Sequence, residues 1–170
     1  MQTIWLARHA NRQDFVDPDW AKTADRPHDP ALSTDGMGQA RKLGRRVGTL
    51  GKAETLPPST LADQFDRVQQ GHDPCRTPTY PESRHESLAR IGATGQCLAD
   101  RYPDETLLLV GHGMTVLGVL HGLIGQDVPD PGCPLASLTR VVRRENDWHI
   151  RLRNDTSHLE NGSRAADRLS

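Results

Sequence analysis

Near the start of the chain the run LARHANR places Arg8, His9 and Arg12 close together. Two guanidinium groups offer planar, permanently charged forks that match the oxygens of a phosphate. An imidazole beside two positive charges has its protonated form disfavoured, which leaves a neutral nitrogen able to attack phosphorus. A second histidine, His112, lies in LLLVGHGMTV, where it can donate a hydrogen bond to the same phosphate. A helix beginning near Met114 would add backbone N–H groups aimed at an anion. Such a set suits phosphoryl transfer with no metal and no cofactor. Each piece alone also has a plainer reading. An Arg-His pair at a strand end is common, and GHG after an apolar strand can be a tight turn holding an inert histidine.

The elements that must position these groups follow from local patterning. QTIWLA, residues 2–7, is a short apolar run and reads as a buried strand that ends at His9. Asn11 to Ala31 is polar and rich in Pro and Asp, as a long functional loop is. In LSTDGMGQARKLGRRVGTL, the residues Met37, Ala40, Leu43, Val47 and Leu50 recur at helical spacing. Ser33 or Thr34 can cap that helix and Gly51 can end it. Residues 52–81 carry five prolines and no clean period; only a short helix over 60–68 is expected there. Ser83 and Glu86 form a capping box, and Leu88, Ile91, Gly95 and Leu98 continue a helical face. TLLLV (106–110) reads as a second buried strand, MTVLGVLHGLIG as a largely buried helix, and ASLTRVV and DWHIRLR as two strands meeting around Glu145–Asp147. The tail from Asn161 has no apolar pattern and is expected to be disordered.

This order predicts one domain over 1–160 with a tail over 161–170. The fold class is α/β, a three-layer α/β/α sandwich with a mostly parallel sheet. Ligands gather at the carboxyl ends of strands in such sheets, where His9 and His112 both fall. The chain has 170 residues, enough for one real core, yet only 4% are aromatic, so Leu, Val, Ile and Ala must build it. A net charge of −1 gives no case for nucleic acid or a membrane surface as partner. No apolar run approaches the roughly 20 residues of a membrane span, and the start lacks the layout of a signal peptide. Cys75, Cys97 and Cys133 are odd in number with no CxxC pair, which predicts reduced thiols and a cytoplasmic location.

Taken together the motifs resemble the histidine phosphatase superfamily, also called phosphoglycerate mutase-like. LARHANR resembles its RHG signature, with Ala10 where glycine is usual. LSTDGMGQARKLG, PESRHESLAR and LLLVGHGMTV are similar to its first helix, middle helix and second-histidine motif, in that order. ASLTRVVRRENDWHIRLRNDTSHL is similar to its closing hairpin. Arg12 resembles the subgroup related to the ubiquitin-associated tyrosine phosphatases. The resemblance implies that His9 is the nucleophile that becomes phosphorylated and that Arg8, Arg12 and His112 form the phosphate pocket. Asn11 lies in the loop without an assigned role.

One part of the family pattern has no counterpart. The family normally carries a strand ending in serine–proline–x–x–arginine–x–x–threonine–alanine, then elements leading to an acidic residue. That arginine completes the pocket, and the acid protonates the leaving oxygen. Arg67, Arg76, Glu54, Asp63 and Glu82 lie nearby without that context. Glu82 is the candidate acid, although its place before a capping box reads more simply as a helix-start charge. Loss of the outer strands would shorten the sheet at one edge and expose TLLLV; either the 52–81 segment folds over Leu107–Val110 or a second chain pairs there, so that a dimer can form.

The expected function is a phosphomonoesterase working through a phosphohistidine, with reduced activity, on a small phosphorylated metabolite or a phosphoprotein. The competing expectation is a degenerate regulatory protein that binds a phosphorylated ligand and turns it over slowly or not at all. A metal-dependent hydrolase is a weaker third reading, since no compact ligand cluster is present in the sequence.

Overall fold

The computed structural model describes residues 1–25, 27, 30–47, 73–126, 128, 129 and 132–160. Contacts divide the chain into two compact units: Met1–His9 with Cys75–Ser170, and Ala10–Pro74.

The first unit is built on a four-stranded sheet. Strand β1 (Thr3–Arg8) is central and pairs in parallel with β2 (Thr106–Gly111). On its other side it runs antiparallel to β3 (Leu138–Arg144), which pairs antiparallel with β4 (Asp147–Asp155). The order is therefore β2-β1-β3-β4. The α/β class expected from the sequence holds, but the sheet is mixed rather than mostly parallel: one of its three pairings is parallel. The cause is connection length. A parallel neighbour needs a crossover, which the long helix between β1 and β2 supplies. The tight turn between β3 and β4, with Glu145 at φ 56°, allows only an antiparallel return.

Helix α3 (Arg84–Arg101) opens with the expected capping box: Ser83 Oγ accepts from the Glu86 N–H, and the Glu86 carboxylate accepts from the Ser83 N–H. Helix α4 (Gly113–Leu123) follows β2 directly. Residues Val116 to Leu120 of α4 are buried, so the run that looks apolar all round is a core helix. Ile4, Leu6 and Val141 from the sheet cluster with Ala99 of α3 and Val116, Val119 and Leu120 of α4. Leu107 and Leu109 pack against the same cluster, which fixes the face of β2 that meets the helices. The two helices approach most closely at Gly92 and Gly122, where a Cβ on Gly122 would lie 2.6 Å from the carbonyl carbon of Gly92. Only glycine permits that approach.

In the second unit the loop from Asn11 to Ala31 holds more order than its composition suggests: a 3-10 turn at Gln13–Phe15 and a short helix α1 (Trp20–Thr23). Helix α2 (Thr34–Val47) follows. Ser33 rather than Thr34 is its cap, since Ser33 Oγ accepts from the Gly36 N–H at 3.1 Å. Gly36 packs against the backbone of Asn11, which ties the start of α2 to the loop after His9. The expected end at Gly51, the short helix over 60–68, and Glu54, Asp63 and Arg67 lie outside the described residues, as does the tail from Asn161.

The cysteine expectation is corrected. Cys75 and Cys97 form a disulfide across 22 residues, and Cys133 is the free thiol. Parity misled because an odd count leaves one thiol over without saying anything about the other two. The bond ties the irregular segment before α3 to the last turn but one of that helix, and it removes the cysteine argument for a cytoplasmic location. Among the described residues no helix is long and apolar enough to cross a membrane.

Candidate active site

Strands β1 and β2 are parallel and in register, so their carboxyl ends emerge side by side: Arg8 is paired with Gly111. The next residue on each strand is a histidine. The rings of His9 and His112 meet edge to face, with centroids 4.7 Å apart and planes inclined at 70°. Two side chains separated by 103 positions thus converge because the sheet brings two strand ends together.

Both histidines are held by their backbones. The His9 N–H donates to the Gly111 carbonyl at 2.8 Å, and the His9 carbonyl accepts from the Ala136 N–H at 3.1 Å. Ala136 is fully buried and left-handed, at φ 55°, a conformation that costs a non-glycine residue roughly 1–2 kcal/mol. Its strain is compensated by surroundings that aim its N–H at His9. The His112 N–H donates to Thr115 Oγ1 at 3.2 Å, while the His112 carbonyl accepts from the Thr115 and Val116 N–H groups. His112 therefore caps α4, and the first N–H groups of an eleven-residue helix stand immediately after it. Of these, the Gly113 and Met114 N–H groups have no partner within the helix, and they carry its positive dipole end.

Arg8 belongs to the same constellation. One of its terminal nitrogens, Nη1, donates to the Cys133 carbonyl. Cys133 in turn lies against the start of α4, with its Cβ 3.5 Å from the place a Cβ on Gly113 would take. The Arg8 Nε is buried and has no hydrogen-bond partner among the described residues. A buried donor left in that condition costs roughly 1–3 kcal/mol.

Arg12 lies in the second unit, where Nε and Nη2 grip both oxygens of Asp14, at 3.0 and 2.6 Å, and the guanidinium stands over the Phe15 ring at 4.8 Å. Asn11 is fixed by its backbone, with its N–H donating to Gln39 Oε1 at 2.9 Å and its carbonyl accepting from the Ser33 N–H. Asp14 and Thr115 both escaped sequence reasoning. The signals were present as short spacings: an acid two residues after Arg12, and a hydroxyl three residues after a helix-capping histidine.

Glu82 does not fit the part of a proton donor. Arg90 Nε and Nη2 donate to its two carboxylate oxygens at 2.7 and 2.8 Å. That hydrogen bonding holds the Glu82 carboxyl below the usual glutamate range, against a smaller opposing effect of burial. An acid catalyst needs the reverse. The pair instead fastens the residue before the capping box to the second turn of α3, the plainer reading of its position. Arg76 donates to the carbonyl of its neighbour Cys75 and is exposed. Among the described residues no group of three or more His, Cys, Asp and Glu side chains is arranged to hold a metal ion.

The sequence model of the histidine phosphatase superfamily (branch 1) matches residues 49–156, more than half of the chain. No curated protein matches at a significant level. Several solved structures share the fold at low identity. An ecdysone phosphate phosphatase from Bombix mori, in complex with tungstate, superposes with a TM-score of 0.69 at 13% identity, covering 96% of each chain. The YhfR protein of Bacillus stearothermophilus gives 0.64 at 18% identity, over 94% of this chain and all of its own. A phosphoserine phosphatase from Entamoeba histolytica, in complex with 3-phosphoglyceric acid, gives 0.62 at 14% identity with the same coverage.

Proposed function

The chain belongs to the histidine phosphatase superfamily, branch 1, and on that premise we propose that it hydrolyses phosphate monoesters through a phosphohistidine on His9. The observation that carries this reading is the edge-to-face meeting of His9 and His112 at 4.7 Å, beside the start of α4. A ring nitrogen of His9 attacks phosphorus, the bond from phosphorus to the ester oxygen breaks, and the leaving oxygen departs as an anion that takes up a proton from water. Water then attacks the phosphohistidine, releasing inorganic phosphate and restoring His9. During both steps the phosphoryl oxygens are met by His112, by the N–H groups of Gly113 and Met114 at the start of α4 and by the Arg8 guanidinium. Positive charge fixed in place before the reaction is what stabilises the spreading negative charge of the transition state.

The family resemblance adds Arg12 as a second phosphate ligand, and its Nε and Nη2, now on Asp14, would have to exchange that carboxylate for the phosphate. The substrate is a small phosphorylated metabolite or a phosphoprotein. With Glu82 committed to Arg90, turnover is slow wherever the leaving oxygen needs a proton. Loss of a general acid costs about 10²–10⁴-fold, and an acidic phenol escapes that cost. The test is a series of phosphate esters of rising leaving-group pKa. Hydrolysis of aryl phosphates, falling steeply toward alkyl phosphates, supports the proposal. Equal, fast turnover across the series shows that another residue supplies the proton. No release from any ester, with phosphate still bound, turns the reading to a regulatory phosphate-binding protein.

A further inference from the structure

Strand β2 is the outer strand of the sheet on the side of the two histidines. Gly111 aims its carbonyl at β1, as its bond from the His9 N–H shows. Along a strand the backbone groups of alternate residues point to opposite sides. Leu107, Leu109 and Gly111 therefore face β1, while Thr106, Leu108 and Val110 aim N–H and C=O outward. No described residue pairs with them there. The strand carries none of the devices that blunt an edge, for it has no proline, no charge and no bulge. Val110 is moreover 52% exposed.

We propose that β2 pairs antiparallel with β2 of a second copy of the chain, about a two-fold axis through Leu108. Three features favour a second copy over another partner. The outward set is symmetric about Leu108, so Thr106 meets Val110 of the partner subunit, Leu108 meets Leu108 of the partner subunit, and all three residues are used. Only that register satisfies every outward donor and acceptor. The two-fold also consumes both β2 edges at once and closes the assembly at two copies.

Charge supplies the third feature. Asp104 and Glu105, both exposed, precede β2, and His112 follows it. The register sets Asp104 of the partner subunit opposite His112, and Glu105 of the partner subunit opposite Gly111. Each acidic strand start thus meets the strand end where His9, His112 and Arg8 gather. Parallel pairing would instead set the acidic starts side by side. A carboxylate from the partner therefore joins the rim of each site, a consequence that rests on the phosphatase reading of His112; the pairing itself does not. A six-residue strand spans about 20 Å, and its pairing alone falls short of the roughly 1,200–2,000 Å² of a stable interface. The dimer is accordingly concentration-dependent.

Sedimentation velocity on the full chain over a roughly hundredfold concentration range should show monomer giving way to dimer. Amide exchange should slow at Thr106, Leu108 and Val110 as the dimer forms, and stay unchanged at Leu107 and Leu109. Thr106→Lys combined with Val110→Lys puts like charges directly opposite one another twice and should weaken association about tenfold. Thr106→Glu combined with Val110→Lys puts opposite charges in the same places and should preserve it. A monomer at every concentration overturns the proposal; if its outer amides are protected, another part of the chain covers the edge. A dimer weakened equally by both double variants, or by neither, places the interface elsewhere. Mass and amide exchange do not depend on turnover, so failure here leaves the phosphatase reading standing.

Discussion

Gly111→Ala should damage catalysis far more than folding. A methyl built on Gly111 would lie 2.7 Å from Thr115 Oγ1 and 2.9 Å from both Thr115 Cβ and Cγ2. Carbon atoms rest at about 3.5 Å or more, so the threonine must retreat by about half an ångström or turn away. Either movement breaks the bond from the His112 N–H to Thr115 Oγ1, which stands at 3.2 Å. The loss of that bond costs roughly 0.5–1.5 kcal/mol, and the crowding adds about 1–3 kcal/mol. For a chain of this size the melting temperature should fall by about 3–18 °C. The ring of His112, released at its own backbone, leaves its place against His9, and a misplacement near 1 Å costs about 10²-fold in rate. Thr115→Val separates the two effects, since it removes the hydroxyl without adding bulk at Gly111. The assay is hydrolysis of an aryl phosphate beside thermal unfolding followed by circular dichroism. The expected order of turnover is wild type, then Thr115→Val, then Gly111→Ala. Wild-type turnover in Gly111→Ala would refute the claim that this contact sets the position of His112.

Glycine at the helix contact gives a second comparison: Gly122→Ala must force α3 and α4 apart and should destabilise by about 1–3 kcal/mol. Gly38→Ala, in α2 with nothing within 4 Å, should stabilise by up to about 1 kcal/mol; urea midpoints of the same sign for both would count against the packing account. Glu82→Gln should lower stability at neutral pH and leave hydrolysis of aryl phosphates near wild type. Arg90 holds the Glu82 carboxyl below the usual glutamate range. Its contribution is therefore present above the ordinary glutamate pKa and lost as pH falls through the lowered one. The stability gap between Glu82→Gln and wild type should close in acid; a gap that widened there would show the sign to be wrong. Treatment with chelator followed by desalting should leave hydrolysis unchanged, because side chains and a helix end supply the positive charge. Activity lost and then restored by zinc, manganese or magnesium would overturn that expectation.

Much of the site was legible because it rests on local signals. QTIWLA and TLLLV show as strands through continuous apolar runs, and each is followed two positions on by a histidine, so the sequence already places His9 and His112 at strand ends. That the ends are adjacent is a matter of sheet order, which periodicity does not encode; the parallel register of β1 and β2 supplies it. The capping box at Ser83 was legible because both partners lie within one turn. Long-range pairs were not. Nothing local distinguishes Cys97, on an exposed helical turn, as the partner of Cys75, and nothing near Arg8 announces the Cys133 carbonyl. The mixed sheet was half legible, for the hairpin of β3 and β4 shows in the turn at Glu145, while the antiparallel pairing of β3 with β1 does not. Glu82 shows how context decides a role: a carboxylate before a helix is a plausible acid until Arg90, two turns along, is seen to grip both its oxygens.

The most direct test of the account is to trap the intermediate. The protein is mixed with an aryl phosphate, quenched in alkali within the first turnovers, digested and analysed by mass spectrometry, with His9→Ala in parallel. The account predicts a phosphate adduct on the peptide containing His9, stable in base, lost in acid and absent from His9→Ala, which should also release no phosphate. Phosphate release that persists in His9→Ala, or turnover by the wild type with the adduct on another residue, would contradict it.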